Sequence, residues 1–202
     1  KVLFANEKEC EQNALNLQKE CEKFKDKYLE NYENLKTDEF LKAFSEYESL
    51  IAKISKVITY AFLNFAKDTS KGAFYAKIDE IATKANENLI FFEIKFNELS
   101  PKKQEEIIKS SKKYGYYLSN LAKAKPHQLS VAEERVLLRT ASTGAEGFSR
   151  LFDESMSKMR FKFKGELLNE EEILAKLHDN DQSVRKLAAK SLSNELSKHQ
   201  HL

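Results

Sequence analysis

The sequence predicts an all-α protein: long antiparallel helices followed by a bundle of shorter helices, with one small β-hairpin near residues 160–168. Three observations carry this prediction. Five glycines and two prolines in 202 residues supply too few turn residues for a β-sandwich or barrel. They also leave no glycine-rich phosphate loop for a nucleotide-binding α/β fold. Hydrophobic residues make up 41% of the chain, enough for a core, and they recur at spacings of three and four, the period of one helix face.

Cys10, Ala14, Leu17, Cys21, Phe24, Tyr28, Tyr32 and Leu35 form one stripe of a first long amphipathic helix. Thr37-Asp38-Glu39 ends it and opens the next, a cap followed by acids at the positive end of the helix dipole. The second stripe runs Phe40, Phe44, Tyr47, Ile51, Ile54, Ile58, Phe62 and Phe65. After a turn at residues 68–72 the third runs Tyr75, Ile78, Ala82, Ala85, Leu89, Phe92, Phe96 and Leu99. Long helices joined by short connections lie antiparallel to their neighbours. Their mixture of Phe, Tyr, Ile and Ala suits a globular bundle, without the Leu seam of a dimeric coiled coil.

Ser100 and Pro101 open a further helix as N-cap and first residue, with a break or bend near Ser110-Ser111. Tyr114, Tyr117, Leu118 and Leu121 mark a short helix ending before Pro126. Ser130 and Glu133 form a capping box for a helix carrying Val136, Leu137 and Leu138, and another helix spans about Ala145 to Met156. Phe161 and Phe163 alternate with Lys162 and Lys164 before Gly165, a hairpin signal. Asn169 with Glu172 is a second capping box, and Asp181 caps a last helix with Val184, Leu187, Ala188, Leu192 and Leu196 inward. The change from long to short helices predicts two parts, 1–112 and 113–202, packing as one lobe.

Charge and motifs exclude several function classes. The net charge is +2, from 34 basic and 32 acidic residues, so no global field attracts nucleic acid or anionic lipid. No run approaches the roughly 20 apolar residues of a membrane span, and no secretory leader is evident. Cys10 and Cys21, roughly 16 Å apart on one helix at 1.5 Å per residue, cannot pair; they read as reduced, half-buried thiols of a cytoplasmic protein. His127, His178, His199 and His201 include no pair four apart and none followed by Glu, so the zinc-peptidase H-E-x-x-H helix is absent. A nucleophile elbow, a phosphate loop and a C-x-x-C pair are absent too. The sequence therefore offers no catalytic residue, no cofactor-binding residue and no metal ligand. One basic stretch, 102–125, has seven lysines against two glutamates with Tyr114, Tyr116 and Tyr117 interleaved. It raises single-stranded nucleic-acid binding as a weaker alternative.

The second half resembles a known family. The order is Tyr-Leu-Ser-Asn-Leu from Tyr117, then Lys125-Pro126-His127-Gln128-Leu129-Ser130, then Glu133-Glu134 and a Leu-rich helix. The hairpin follows, then Asp181-Gln182-Ser183-Val184-Arg185-Lys186-Leu187-Ala188. This order is similar to the amino-terminal region of oligoendopeptidase F, a bacterial zinc metallopeptidase related to thimet oligopeptidase. The likeness is specific over about residues 114–196. It implies a fragment: a helical amino-terminal lobe that forms part of the wall of a substrate channel. The zinc, the H-E-x-x-H helix and the peptide hydrolysis belong to a carboxy-terminal catalytic lobe that is missing here. The partners implied are that lobe and short peptides, with no nucleic acid and no membrane.

The family-motif positions are His127, Ser130, Glu133, Asp181 and Arg185, and local physics gives them structural roles. His127 follows Pro126 and precedes the Ser130 cap, a place from which to bond a helix end, with substrate binding as the alternative role. Arg185 lies on the first turns of the final helix, where the dipole disfavours a cation. It therefore calls for a specific acidic partner, either Asp181 or a Glu elsewhere. Arg135 and Arg139, four apart, face either the channel or solvent. The competing reading is a free-standing helical interaction module.

Overall fold

The computed structural model describes residues 3–199. The protein is all-α with one small antiparallel hairpin. The helices are α1 (Glu7–Tyr28), α2 (Thr37–Lys67), α3 (Gly72–Glu87), α4 (Phe91–Glu98), α5 (Pro101–Ser110), α6 (Gly115–Ala124) and α7 (Val131–Thr140). They continue with α8 (Ala145–Lys158), the hairpin β1 (Phe161–Phe163) and β2 (Glu166–Leu168), α9 (Glu170–Lys176) and α10 (Gln182–Leu196). The chain divides into two compact units, residues 1–139 and 140–202. The 112/113 boundary read from the sequence is instead a bend inside the first unit. Ser111 is extended there and ends α5, but Leu118 on α6 is buried in the same core as α1–α4.

In the first unit α1, α2 and α3 pack against one another. Cys10, Ala14, Leu17, Cys21, Phe24 and Tyr28 are buried on α1, the stripe read from the sequence. Tyr32 stays buried beyond the helix end, in a 3₁₀ turn, and donates its hydroxyl to the Phe92 carbonyl at 2.6 Å. On α2 the buried line is Phe40, Ala43, Phe44, Leu50, Ile54, Val57 and Ala61. After Phe44 the predicted stripe keeps Ile54 buried and Tyr47, Ile51 and Ile58 partly buried against the core, while the buried line turns toward Leu50, Val57 and Ala61 and Phe62 is exposed. The cause is packing against two partners: α2 touches both α1 and α3. The small Ala43 and Ala61, with no exposed surface, sit where a large side chain would be overpacked.

The third predicted helix is two. At Asn88 the helical pattern gives way to a tight turn, with Asn88 N–H on the Ala85 carbonyl and Leu89 N–H on the Asn86 carbonyl. The Asn88 side chain also bonds back to the Lys84 carbonyl at 3.1 Å, the local competition that disfavours Asn in helix interiors. The turn re-aims α4 so that Phe91, Phe92, Ile94 and Phe96 are all buried. Phe92 becomes the hub of the core, its ring centroid 5.2 Å from Phe24, 5.2 Å from Tyr32, 5.7 Å from Phe40 and 5.0 Å from Tyr47.

The second unit has its own core of Met156, Met159, Phe161, Phe163, Ile173 and Ala188, lined by Leu168, Leu177, Val184 and Leu192. Phe161 pairs with Leu168 and Phe163 with Glu166. The connecting residues Lys164 and Gly165 both have positive φ, 49° and 95°, as a type I′ hairpin turn requires. Asn169 caps α9, its side chain accepting from Glu172 N–H at 2.9 Å while Glu172 accepts from Asn169 N–H at 2.8 Å. Leu187 on α10 is 48% exposed and does not join this core. No described helix is long and apolar enough to cross a membrane.

Candidate functional site

The family-motif residues occupy two places. On the first unit, Ser130 and Glu133 bond each other at the start of α7. Glu133 N–H donates to Ser130 Oγ at 3.3 Å, and Glu133 Oε2 accepts from Ser130 N–H at 2.8 Å and from its hydroxyl at 2.7 Å. These bonds hold the Glu133 carboxyl below its ordinary pKa. On the second unit, Asp181 accepts from Ser183 N–H at 2.8 Å and from its hydroxyl at 2.9 Å, capping α10. Arg185 donates to the backbone carbonyls of Asp179 at 2.7 Å and Asn180 at 3.0 Å. Its partners are thus carbonyls of the preceding turn rather than a carboxylate.

His127 ends the 3₁₀ turn Lys125–His127 and borders a pocket of about 370 Å³ lined by α3, α4, α6 and α7 with Tyr47 of α2. Tyr47 and Tyr117 both donate their hydroxyls to Glu93 Oε1, the first at 2.9 Å. Burial, reinforced by the Glu93 charge, pushes both phenols well above their usual pKa, so they remain donors. Beside them lies Asn97, only 1% exposed. Its Nδ2 donates to Gln128 Oε1 at 2.6 Å and to the Leu121 carbonyl at 3.2 Å. A main-chain carbonyl only accepts, which fixes the amide orientation and leaves Oδ1 as the buried atom without a partner. Such an unpaired buried group costs on the order of 1–3 kcal/mol.

Next to the pocket, Glu87 at the end of α3 takes a two-point salt bridge from Arg139 at 2.6 and 2.7 Å. That contact, with a further contribution from Arg135, holds the Glu87 carboxyl below its ordinary value. Arg135 Nε is buried without a partner. A larger groove of about 620 Å³ lies between α1 and α2. It is crossed by Lys27–Glu46 at 3.0 Å and Lys53–Glu20 at 2.6 Å, which satisfy their own charges. In the 102–125 stretch some of the lysines and tyrosines are committed to partners. Lys113 and Tyr114 bond Glu48, Lys103 bonds the Glu33 carbonyl, Lys109 pairs with Glu105, and Tyr117 is held on Glu93. Tyr116 is its most exposed ring.

Both thiols are fully buried and free, deeper than the half-burial read from the sequence. Burial raises the Cys10 pKa to about 11 and that of Cys21 to about 12. Among the described residues no three His, Cys, Asp or Glu side chains gather as a metal site; His201 lies outside the described residues.

Residues 95–161 match the family model described as Oligopeptidase F, the amino-terminal segment of the M3 peptidases. The oligoendopeptidase-F of Enterococcus faecium matches with a TM-score of 0.74 over 96% of this chain, at 20% identity. The chain resembles the amino-terminal region of an oligoendopeptidase F-like peptidase. It spans 40% of the length of the Enterococcus faecium chain, and at that identity the structural likeness is one of fold. A Chlamydophila abortus structure matches at a TM-score of 0.46 and 17% identity, over 82% of this chain and 30% of its own. No curated protein matches the sequence. The oligopeptidase F segment contains α5 to α8 and the second half of α4, so Asn97, His127, Gln128 and Glu134 of the pocket all lie inside it. Asn97 and Glu93 carry no sequence pattern, as an isolated Asn or Glu on a Lys/Glu-rich helix does not, and Glu134 enters the sequence reading only through the Glu133-Glu134 pair; the fold brings the three together.

Proposed function

We propose that this chain serves as the non-catalytic amino-terminal lobe of a zinc-dependent oligoendopeptidase that hydrolyses short peptides in the bacterial cytoplasm. It forms part of the wall of the substrate channel. The catalytic zinc and its H-E-x-x-H helix come from outside these residues. The observation that carries the reading is the agreement of two independent likenesses: the Oligopeptidase F segment at 95–161 and the fold over 96% of the chain. A surface feature supports it. On α8, Phe148, Leu151 and Phe152 are 72%, 48% and 63% exposed, spaced as one face of the helix. An apolar face of this kind marks an interaction surface, and the lobe-to-lobe contact of the whole enzyme is its occupant in this reading.

The test is to assay a quenched fluorogenic peptide with this chain alone and with the chain joined to an H-E-x-x-H lobe of the same family. The chain alone gives no cleavage, and the joined protein gives cleavage that chelator abolishes. Chelator-sensitive cleavage by the chain alone, or an inert joined protein that is folded and zinc-loaded, overturns the proposal.

A further inference from the structure

We propose that the pocket bordered by His127 binds a small ligand through a primary ammonium group. Three observations lead there. First, the wall has a sign. It includes the carboxylates of Glu93 and Glu134 and no Lys or Arg, although the chain as a whole has more basic than acidic residues. The two carboxylates on the lining favour a cation over an anion there. Second, the carboxylates are available. Glu93 uses Oε1 to accept from both tyrosines, which fixes its side chain and leaves Oε2 for another donor. The Glu134 carboxylate takes no hydrogen bond or ion pair from a described side chain, its backbone N–H going to the Ser130 carbonyl, while its neighbour Glu133 is taken up by the Ser130 cap. Third, the buried Asn97 has an acceptor, Oδ1, without a donor, and its orientation is fixed by the Leu121 carbonyl.

The chemistry these three share is a demand for donors carrying positive charge. A primary ammonium brings three donors and no acceptor; a carboxylate, phosphate or neutral carbonyl compound answers neither the charge nor the orphaned oxygen. A cavity of about 370 Å³ falls in the range of small-ligand sites. The apolar parts of Ile90, Ile94 and Leu121 on the same wall accept a short aliphatic remainder. Two kinds of molecule carry such a group, the free amino terminus of a short peptide and a diamine. The inference stands whether or not the chain serves a peptidase.

Calorimetric titration of the intact chain with alanyl-alanine amide, its N-acetyl derivative and putrescine tests it. Saturable binding of one or both free amines in the millimolar range or tighter is expected, with the acetylated compound weaker by at least about tenfold. The dipeptide amide binding more tightly points to a peptide terminus, and putrescine binding more tightly to a diamine; either supports the ammonium site. Glu134→Gln weakens binding by about tenfold and Glu134→Lys abolishes it. Circular dichroism then confirms an unchanged fold, since the Glu134 carboxylate holds no other side chain. Equal binding of the acetylated compound, binding unaffected by Glu134→Lys, or no heat from any of the three at about 20 mM (well above the range expected) overturns the proposal.

Discussion

At the scale of single residues, the Glu87–Arg139 pair shows how exposure sorts ion pairs. Glu87 has 13% of its side chain exposed against 63% for Arg139, so removing the arginine strands a carboxylate already taken out of water. The arginine holds the folded-state pKa of Glu87 below its usual value. The pair therefore contributes stability above the unfolded carboxylate pKa of about 4.3, and loses it as the pH falls through the lower, folded value. Arg139→Ala is expected to lower the denaturation midpoint at pH 7, with the gap to wild type closing below about pH 4. A gap independent of pH would assign the loss to packing of the arginine stem. The sequence showed Arg135 and Arg139 four apart and left their orientation open. The Arg139 partner Glu87 is 52 residues away, and a long-range pairing leaves no periodic trace.

At the scale of elements, most starts and stops were legible because local chemistry sets them. Ser100-Pro101, Ser130 with Glu133, Asn169 with Glu172, and Asp181 each open a helix where the sequence placed it. These are contacts within three residues, readable without the fold. Two features escaped: the break at Asn88 and the rotation of the α2 face toward Leu50 and Val57. Each depends on which helices lie alongside, and periodicity alone reports a stripe without saying how many partners it meets. The hairpin offers a test at this scale. Lys164 has a φ of 49°, a left-handed conformation costly for a side chain with a Cβ but tolerated by Asn and Gly. Lys164→Asn is expected to raise the stability of the hairpin by a few tenths to about 1 kcal/mol, read from hydrogen exchange at Phe161, Phe163 and Leu168. Gly165→Val, at a φ of 95° with open space around it, acts in the opposite direction through backbone strain alone.

At the scale of the whole molecule, two cores without a residue in common predict separable stabilities. Phe161 is fully buried in the smaller core, and Phe161→Ala is expected to cost about 3–5 kcal/mol there. Hydrogen exchange then speeds in β1, β2, α9 and α10, while the amides of α1 to α4 keep their protection. Uniform loss of protection throughout the chain would make the protein a single cooperative unit. The helical class was plain from the shortage of glycine and proline. The division at 139/140 was not, because no linker composition marks it, and after the visible break at Ser110-Ser111 α6 packs back on α5 within the first unit.

The two thiols of α1 have a use that their chemistry does not suggest. The chain has no tryptophan to report on its interior by fluorescence. Cys10 and Cys21 have no exposed surface and are held as thiols, with pKa values near 11 and 12, so a thiol reagent meets nothing while α1 is seated. Each modification event therefore records one departure of that helix from α2 and α3. Placed one in the first turn of α1 and one about two turns before its end, the pair acts as two clocks on a single rod, and the difference in their rates measures whether it lifts whole or frays from one tip.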